Sequence, residues 1–179
     1  FFCVAECTNR HCCETAAISG YGGCREITNE IDTAPGYEIE YLNELWPKYV
    51  SPAPRMITVL PEFPIEVNRQ LQRLFELFWL DHQSCANALR SSVEAALSSL
   101  RIKKSTKTKI GKLRQLSLHD RLELLPAKYK HVSEFLMAAK WIGNAGSHNN
   151  RPMEESDIFD AMDLVELSLC EIFDRSKER

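Results

Sequence analysis

Residues 64–100 read PIEVNRQLQRLFELFWLDHQSCANALRSSVEAALSSL. Leu71, Leu74, Phe75, Phe78, Cys85, Leu89, Val93, Ala96, Leu97 and Leu100 recur at three- and four-residue spacing, the period of a helix with one apolar face. Pro64 stands where a first helical turn tolerates proline. The stretch predicts a long amphipathic helix, straight or kinked, and it sets the class of everything that follows it.

Downstream, Ser117 with Asp120 three residues on gives the N-cap of a short helix that ends at Pro126. A third helix is predicted from Val132, Phe135, Leu136, Ala139 and Ile142 on one face. A last one opens near Glu154–Asp157, where acids suit the positive helix end, and carries Ile158, Ala161, Met162, Val165, Leu169, Ile172 and Phe173. Residues 65–179 are therefore expected to form a mainly α domain, a bundle of about four helices. Upstream, residues 1–24 predict a β-hairpin: the apolar runs 1–5 and 15–18 flank Cys7-Thr8-Asn9-Arg10-His11-Cys12, and glycines follow at 20, 22 and 23. Residues 25–64 hold six of the eight prolines, which excludes a long helix and predicts an extended connector arm with one further strand near Glu38–Tyr41. Trp46 and Tyr49 are expected to pin this arm to the helices.

The composition, 44% hydrophobic and 26% charged over 179 residues with a net charge of -3, is that of an ordinary water-soluble domain. The longest apolar run is too short for a membrane span, and the N-terminus lacks a secretory layout, so a cytoplasmic location is expected. Five of the seven cysteines, Cys3, Cys7, Cys12, Cys13 and Cys24, fall in the first 24 residues. In a reducing compartment such a cluster is read as metal ligands or plain thiols before disulfides.

Charge is unevenly spread. Arg101, Lys103, Lys104, Lys107, Lys109, Lys112 and Arg114 occur within fourteen residues that contain no acid. Such a segment fits phosphate contacts, which release counterions and make binding salt-sensitive; it equally fits a solvated loop. We single out Lys103, Lys104, Lys107 and Lys109 as nucleic-acid-binding candidates.

The stretch Lys140-Trp141-Ile142-Gly143-Asn144-Ala145-Gly146-Ser147-His148 is the best candidate for chemistry. In a continuing helix, Lys140, Asn144 and His148 share one face, bringing a cation, an amide and an imidazole that titrates near neutrality. The competing reading ends the helix at Gly143, with Asn144 and His148 satisfying turn backbone. On the first helix, His82, Ala86, Arg90 and Glu94 form another four-residue row, in which Arg90 and Glu94 suit an ion pair.

Cys-Ala-Asn-Ala-Leu-Arg-Ser-Ser-Val-Glu (85–94), Trp-Ile-Gly-Asn-Ala-Gly-Ser-His (141–148) and the acidic opening with Asp157 and Asp160-Ala161 together resemble the domain of unknown function 4145. That family is similar to a branch of the HEPN superfamily, whose members are α-helical, usually dimeric, and common in bacterial antiphage, toxin and restriction-related systems. The resemblance implies an Arg-x(4–6)-His ribonuclease that needs no metal cofactor: the histidine aids attack by the 2'-hydroxyl or protonates the leaving oxygen, the arginine stabilises the phosphorane, and two subunits share one cleft. Carried over, His148 matches the histidine and Asn144 the polar residue. Trp141, Ile142 and Gly143 occupy the arginine positions, leaving Arg90, beside Glu94, or Lys140 to supply charge. The resemblance also implies a zinc ribbon at the N-terminus, with Cys7 and Cys12 as one knuckle; Cys3, Cys13, Cys24 and His11 are the other donors nearby.

Two functions are therefore expected from different classes. One is a homodimeric protein that binds RNA or another nucleic acid and cuts RNA, working with a partner protein of a defence or restriction system and away from membranes. The other is a non-catalytic dimerisation or protein-interaction module.

Overall fold

Three antiparallel strands open the chain: β1 (Phe2–Glu6), β2 (Thr15–Glu30) and β3 (Tyr37–Ser51), in the order β1-β2-β3. The computed structural model describes residues 1–8, 12, 14–30, 37–148 and 154–174. Two units emerge, Phe1–Pro54 and Arg55–Arg179.

In the first unit β2 pairs with β3 from Ala17↔Ser51 to Glu30↔Tyr37. The expected proline arm is thus largely a strand of 15 residues. Tyr37-Glu38-Ile39-Glu40-Tyr41 shows why, since aromatic and β-branched residues alternate with acids as on a two-faced strand. Pro47 does not forbid it, because β3 lies at the sheet edge, where a missing N–H is tolerated. The register shifts between Ser19 and Gly20, and Gly20 pairs with Pro47. A Cβ at Gly20 would collide with the Trp46 carbonyl oxygen and with the Pro47 backbone, so only glycine fits this bulge.

Among the described residues, helices account for 48% and strands for 26%. The chain is therefore mixed α and β, which corrects the expectation of a mainly α bundle with a small hairpin and an arm. The error lay in reading proline density as absence of regular structure.

The second unit carries α1 (Ile65–Phe78), α2 (His82–Ser99), α3 (Leu118–Glu123), α4 (Lys130–His148) and α5 (Glu155–Phe173). The long helix predicted over 64–100 is two helices that fold back on each other. Asp81 makes the break: its Oδ2 accepts the Ser84 N–H at 2.8 Å, capping α2, while the apolar spacing runs on across the turn and hides it from a periodicity argument. α2 touches α1, α3, α4 and α5. Its buried Ala86, Ala88, Ser92, Ala95 and Ala96 are small enough to let several neighbours approach. Larger side chains fill the space around it, among them Leu71, Leu74 and Phe75 of α1, Leu136 of α4 and Ile158, Met162 and Leu169 of α5.

Residues 55–64 are fastened to α5. Phe63, 3% exposed, meets Phe173 edge-on at 6.0 Å, and the Thr58 N–H donates to Glu166 Oε1 at 3.0 Å. Trp46 and Tyr49 lie on β3 with exposed side chains, and the Trp46 ring lies where a Cβ at Gly23 would reach.

α3 opens with the expected Ser117 N-cap, which the structure completes as a capping box, Ser117 Oγ accepting from Asp120 N and Asp120 Oδ2 from Ser117 N. Phe135, placed by its spacing on the inner face of α4, is 43% exposed, whereas Val132, Leu136 and Ala139 are buried.

Candidate nucleic-acid interface

The basic segment is not an unstructured loop. β4 (Ser105–Lys107) pairs with β5 (Leu113–Gln115), and the turn closes with Gly111 N–H donating to the Thr108 carbonyl at 2.8 Å. Gly111 has φ 78°, the left-handed conformation such a turn demands. Pairing holds Lys107, Lys109, Lys112 and Arg114 on a short ribbon. Lys103, Lys104, Lys107 and Lys109 are all exposed.

The segment begins with Arg101 at φ 59°, just past the end of α2. Ile102 N–H donates to Leu97 O and Arg101 N–H to Ser98 O, both at 2.9 Å. These two bonds form a Schellman cap, whose left-handed position usually holds glycine.

On α2 the expected row separates into parts with different surroundings. His82 packs its ring 5.5 Å from Phe78, and Ala86 is buried. Arg90 Nε reaches Glu94 Oε1 at 3.2 Å, with both side chains nearly half exposed. That pair by itself contributes little stability.

Arg90 lies at the meeting of two depressions. The first is a narrow cleft of about 10 Å³, bordered by Arg90 of α2 and Lys140 of α4 over Leu89, Val93 and Leu136. The second is a polar groove of about 560 Å³ reached by Arg90, Glu94, Arg69, Lys104 and Arg121. The structure therefore gathers four of the predicted residues, Arg90, Glu94, Lys104 and Lys140, around one stretch of α2. Lys103, Lys107 and Lys109 line neither depression.

α4 continues as helix through Gly143 and Gly146 to His148. The alternative of a cap at Gly143 is thereby overturned. The backbone keeps Lys140, Asn144 and His148 on one row with a rise of about 6 Å between successive members. The side chains of Asn144 and His148 lie outside the described ones. So do the arginine-motif positions Trp141, Ile142 and Gly143.

Sequence reasoning missed Arg121, Arg69 and Glu66. Arg121 had a readable signal, since it occupies the apolar stripe formed by Leu118 and Leu122 of α3 and by Leu125 just beyond it. It is 5% exposed, and its Nη2 donates to Ser98 Oγ at 3.0 Å and to the Glu94 carbonyl at 3.4 Å. Burial pulls its pKa down, and the Glu94 charge opposes that. Glu66 accepts Arg69 at 2.7 Å, and this bond, with one from Gln70, holds its carboxyl below the ordinary value.

Among the cysteines, the side chains of Cys7 and Cys12 lie within hydrogen-bond reach of each other. Cys12 is raised on balance: a backbone hydrogen bond at Glu14 lowers it, while a hydrogen bond with the Cys7 side chain raises it. Cys24 does not join them, because it sits nine residues along β2 from Thr15, roughly 30 Å of extended strand. Cys3, four residues back on β1, is also remote. His11 and Cys13 lie outside the described residues. Among the described residues no group of three or more His, Cys, Asp or Glu is placed to hold a metal, and the two thiols alone fall short of the four donors of a structural zinc. Cys85, buried in the helical unit, is pushed up to about 12 by burial and by the Asp81 charge, which makes it an inert core thiol.

Taken together, these features define a mixed α and β chain whose helical unit carries a cation-rich surface around α2. It belongs to the family described as Domain of unknown function (DUF4145), which matches residues 72–178 and so spans most of that unit. No curated protein and no solved structure matches the chain. No helix among the described residues is long and apolar enough to cross a membrane.

Proposed function

We propose that this chain binds RNA on the α2 surface of the helical unit, as a HEPN-superfamily protein acting in the cytoplasm as a homodimer with a partner in a defence or restriction-related system. The observation that carries the reading is the position of Arg90, which borders one cleft with Lys140 and a second groove with Lys104. A strand of phosphates crossing α2 would meet cations on both sides of that helix. The basic ribbon extends the same positive surface. For cleavage, His148 is the acid–base group, Asn144 a polar partner and Arg90 the guanidinium that replaces the absent motif arginine, while Lys140 adds a point charge without the planar fork. Glu94 keeps Arg90 in place through their bond.

The test is purified protein on end-labelled RNA, with and without chelator, beside folded Arg90→Ala and His148→Ala variants. Chelator-resistant cutting that falls at least a hundredfold in both is the expected result. Binding without cutting leaves an RNA-binding protein and removes the catalytic roles. Absence of both overturns the reading.

A second reading, a protein-interaction module, has its own support in the sheet. Tyr21, Trp46 and Tyr49 are large and exposed on one face of the sheet by its register, with Tyr41 and Leu45 on the other, and contiguous exposed apolar area is characteristic of contact surfaces. Loss of self-association on Trp46→Ser with RNA binding intact would assign that role to the sheet.

A further inference from the structure

The 560 Å³ groove has the size of a small-molecule site but not the usual lining, since charged and hydrogen-bonding side chains dominate where apolar ones ordinarily do. Four cations reach it, Arg69, Arg90, Lys104 and Arg121, against two carboxylates, Glu66 and Glu94. Four minus two leaves a net charge of +2 at the lining. Both carboxylates are already engaged on their own helices, Glu66 with Arg69 at 2.7 Å and Glu94 with Arg90 at 3.2 Å. Setting those pairs aside leaves Lys104 and Arg121 as the excess.

Arg121 is the more telling of the two. Its guanidinium is buried, makes no ion pair among the described residues, and has an Nε with no acceptor. The acceptors it does have, a hydroxyl and a carbonyl, are neutral. Removing a cation from water is costly unless a negative group meets it, and Glu94, whose charge reaches Arg121, is already bonded to Arg90. A buried arginine kept beside an open, positively charged groove therefore points to an anion that enters the groove.

We propose that this groove binds a phosphate group as its dianion, with Arg121 and Lys104 as the principal cations and Arg90 and Arg69 at its sides. A dianion matches the net +2, where a carboxylate would leave one charge over. Guanidinium forks suit tetrahedral oxyanions, and three phosphate oxygens give Arg121, Lys104 and Arg90 one acceptor each. The proposal rests on the groove and on Arg121, and it stands or falls apart from the RNA reading, which depends on Lys140, His148 and the basic ribbon as well.

The phosphate comes either free or as the end of an RNA, and one experiment separates these. Titration calorimetry at fixed ionic strength would follow inorganic phosphate, then one short RNA carrying either a 5'-phosphate or a 5'-hydroxyl. Saturable binding of one inorganic phosphate per chain, at least tenfold weaker in Lys104→Gln and Arg121→Lys, is expected for a free-phosphate site. A preference for the phosphorylated RNA, lost in the same variants, identifies the RNA end as the source. Both exposed-side variants, Lys104→Gln and Arg69→Gln, leave the core untouched, so the test does not depend on how Arg121 changes fold. Arg121→Met adds a readout that a structural role would not give: a Tm unchanged or raised without phosphate, together with lost phosphate binding. Heat signals no larger than those of matched chloride, or equal affinity in the wild type, Lys104→Gln and Arg69→Gln, would overturn the proposal.

Discussion

The sheet and the helical unit are held together in different ways. In the helical unit the side chains of α1, α2, α4 and α5 interlock, and Val67, Leu71, Leu74, Leu97, Leu122, Val165 and Leu169 have no exposed surface. On the sheet every residue of β1 is exposed, as are Tyr21, Tyr41, Leu45, Trp46 and Tyr49. Its order comes from an unusually long ladder between β2 and β3, in which backbone pairing substitutes for a core. The contrast teaches that apolar residues mark a core only where a second layer covers them. It also says where mutations should be felt.

The sharpest way to break the contrast is to truncate a leucine in each region. Leu97→Ala should cost about 2–5 kcal/mol in denaturant unfolding, from lost burial plus the cavity left behind. Leu45→Ala, at an exposed site of the same residue type, should stay within about 0.5 kcal/mol. Equal losses would show that the sheet is covered after all.

Next in size is Gly20→Val. The added side chain meets the Trp46 carbonyl and Pro47 in the bulge, so pairing near Ser19 should fail at a cost of about 1–3 kcal/mol. Hydrogen exchange should quicken in β2 and β3 and stay unchanged in α1 and α2. Faster exchange throughout would mean that the two units unfold as one.

Asp81→Ala probes a cap within the helical unit and should cost about 1 kcal/mol. Bonds from the Ser84 hydroxyl and backbone hold the Asp81 carboxyl below its ordinary 3.8. A lowered folded value means that its contribution is complete above 3.8 and is lost as pH falls through the folded value. The variant's stability should therefore decline less steeply in acid than that of the wild type, and parallel acid melting curves would remove the cap from the account.

The smallest effect is a gain. Arg101→Gly relieves a left-handed arginine at the end of α2 and should stabilise the helical unit by about 0.5 kcal/mol, because the relief of roughly 1–2 kcal/mol is partly offset by glycine's freedom when unfolded. If RNA affinity falls in the same variant, Arg101 is a cation kept for binding at the expense of the cap.

These cases also show what the sequence could reveal. The cap at Ser117 was legible because it is local, a side chain three residues away completing it, and the acidic start of α5 near Glu154–Asp157 was legible from charge alone. The inner faces of α1 and α5 followed from period, and that of α4 did so at Val132, Leu136 and Ala139 but not at Phe135. β3 was obscured because prolines argue about a strand's interior, whereas edge position is a property of the sheet. The turn at Asp81 was masked by a stripe that stays in phase across it. The continuation of α4 through Gly143 and Gly146 shows tertiary context overriding glycine propensity. Arg90, Glu94, Lys104 and Lys140 were each picked from the sequence, but their meeting around α2 needed the packing of α4 and the basic segment against that helix. Arg121 was visible only as a charge in an apolar stripe, a signal without meaning until the groove beside it was seen.

The most direct test of the central claim, RNA binding at the α2 surface, is the affinity of a labelled single-stranded RNA measured across a salt series for the wild type and for the triple variant Lys103→Glu, Lys104→Glu, Lys107→Glu. The account predicts a log–log slope that steepens by about 0.7 for each phosphate contacted, and a slope shallower by up to about 2 in the variant. Affinity that does not change with salt, or a slope identical in both proteins, would contradict it.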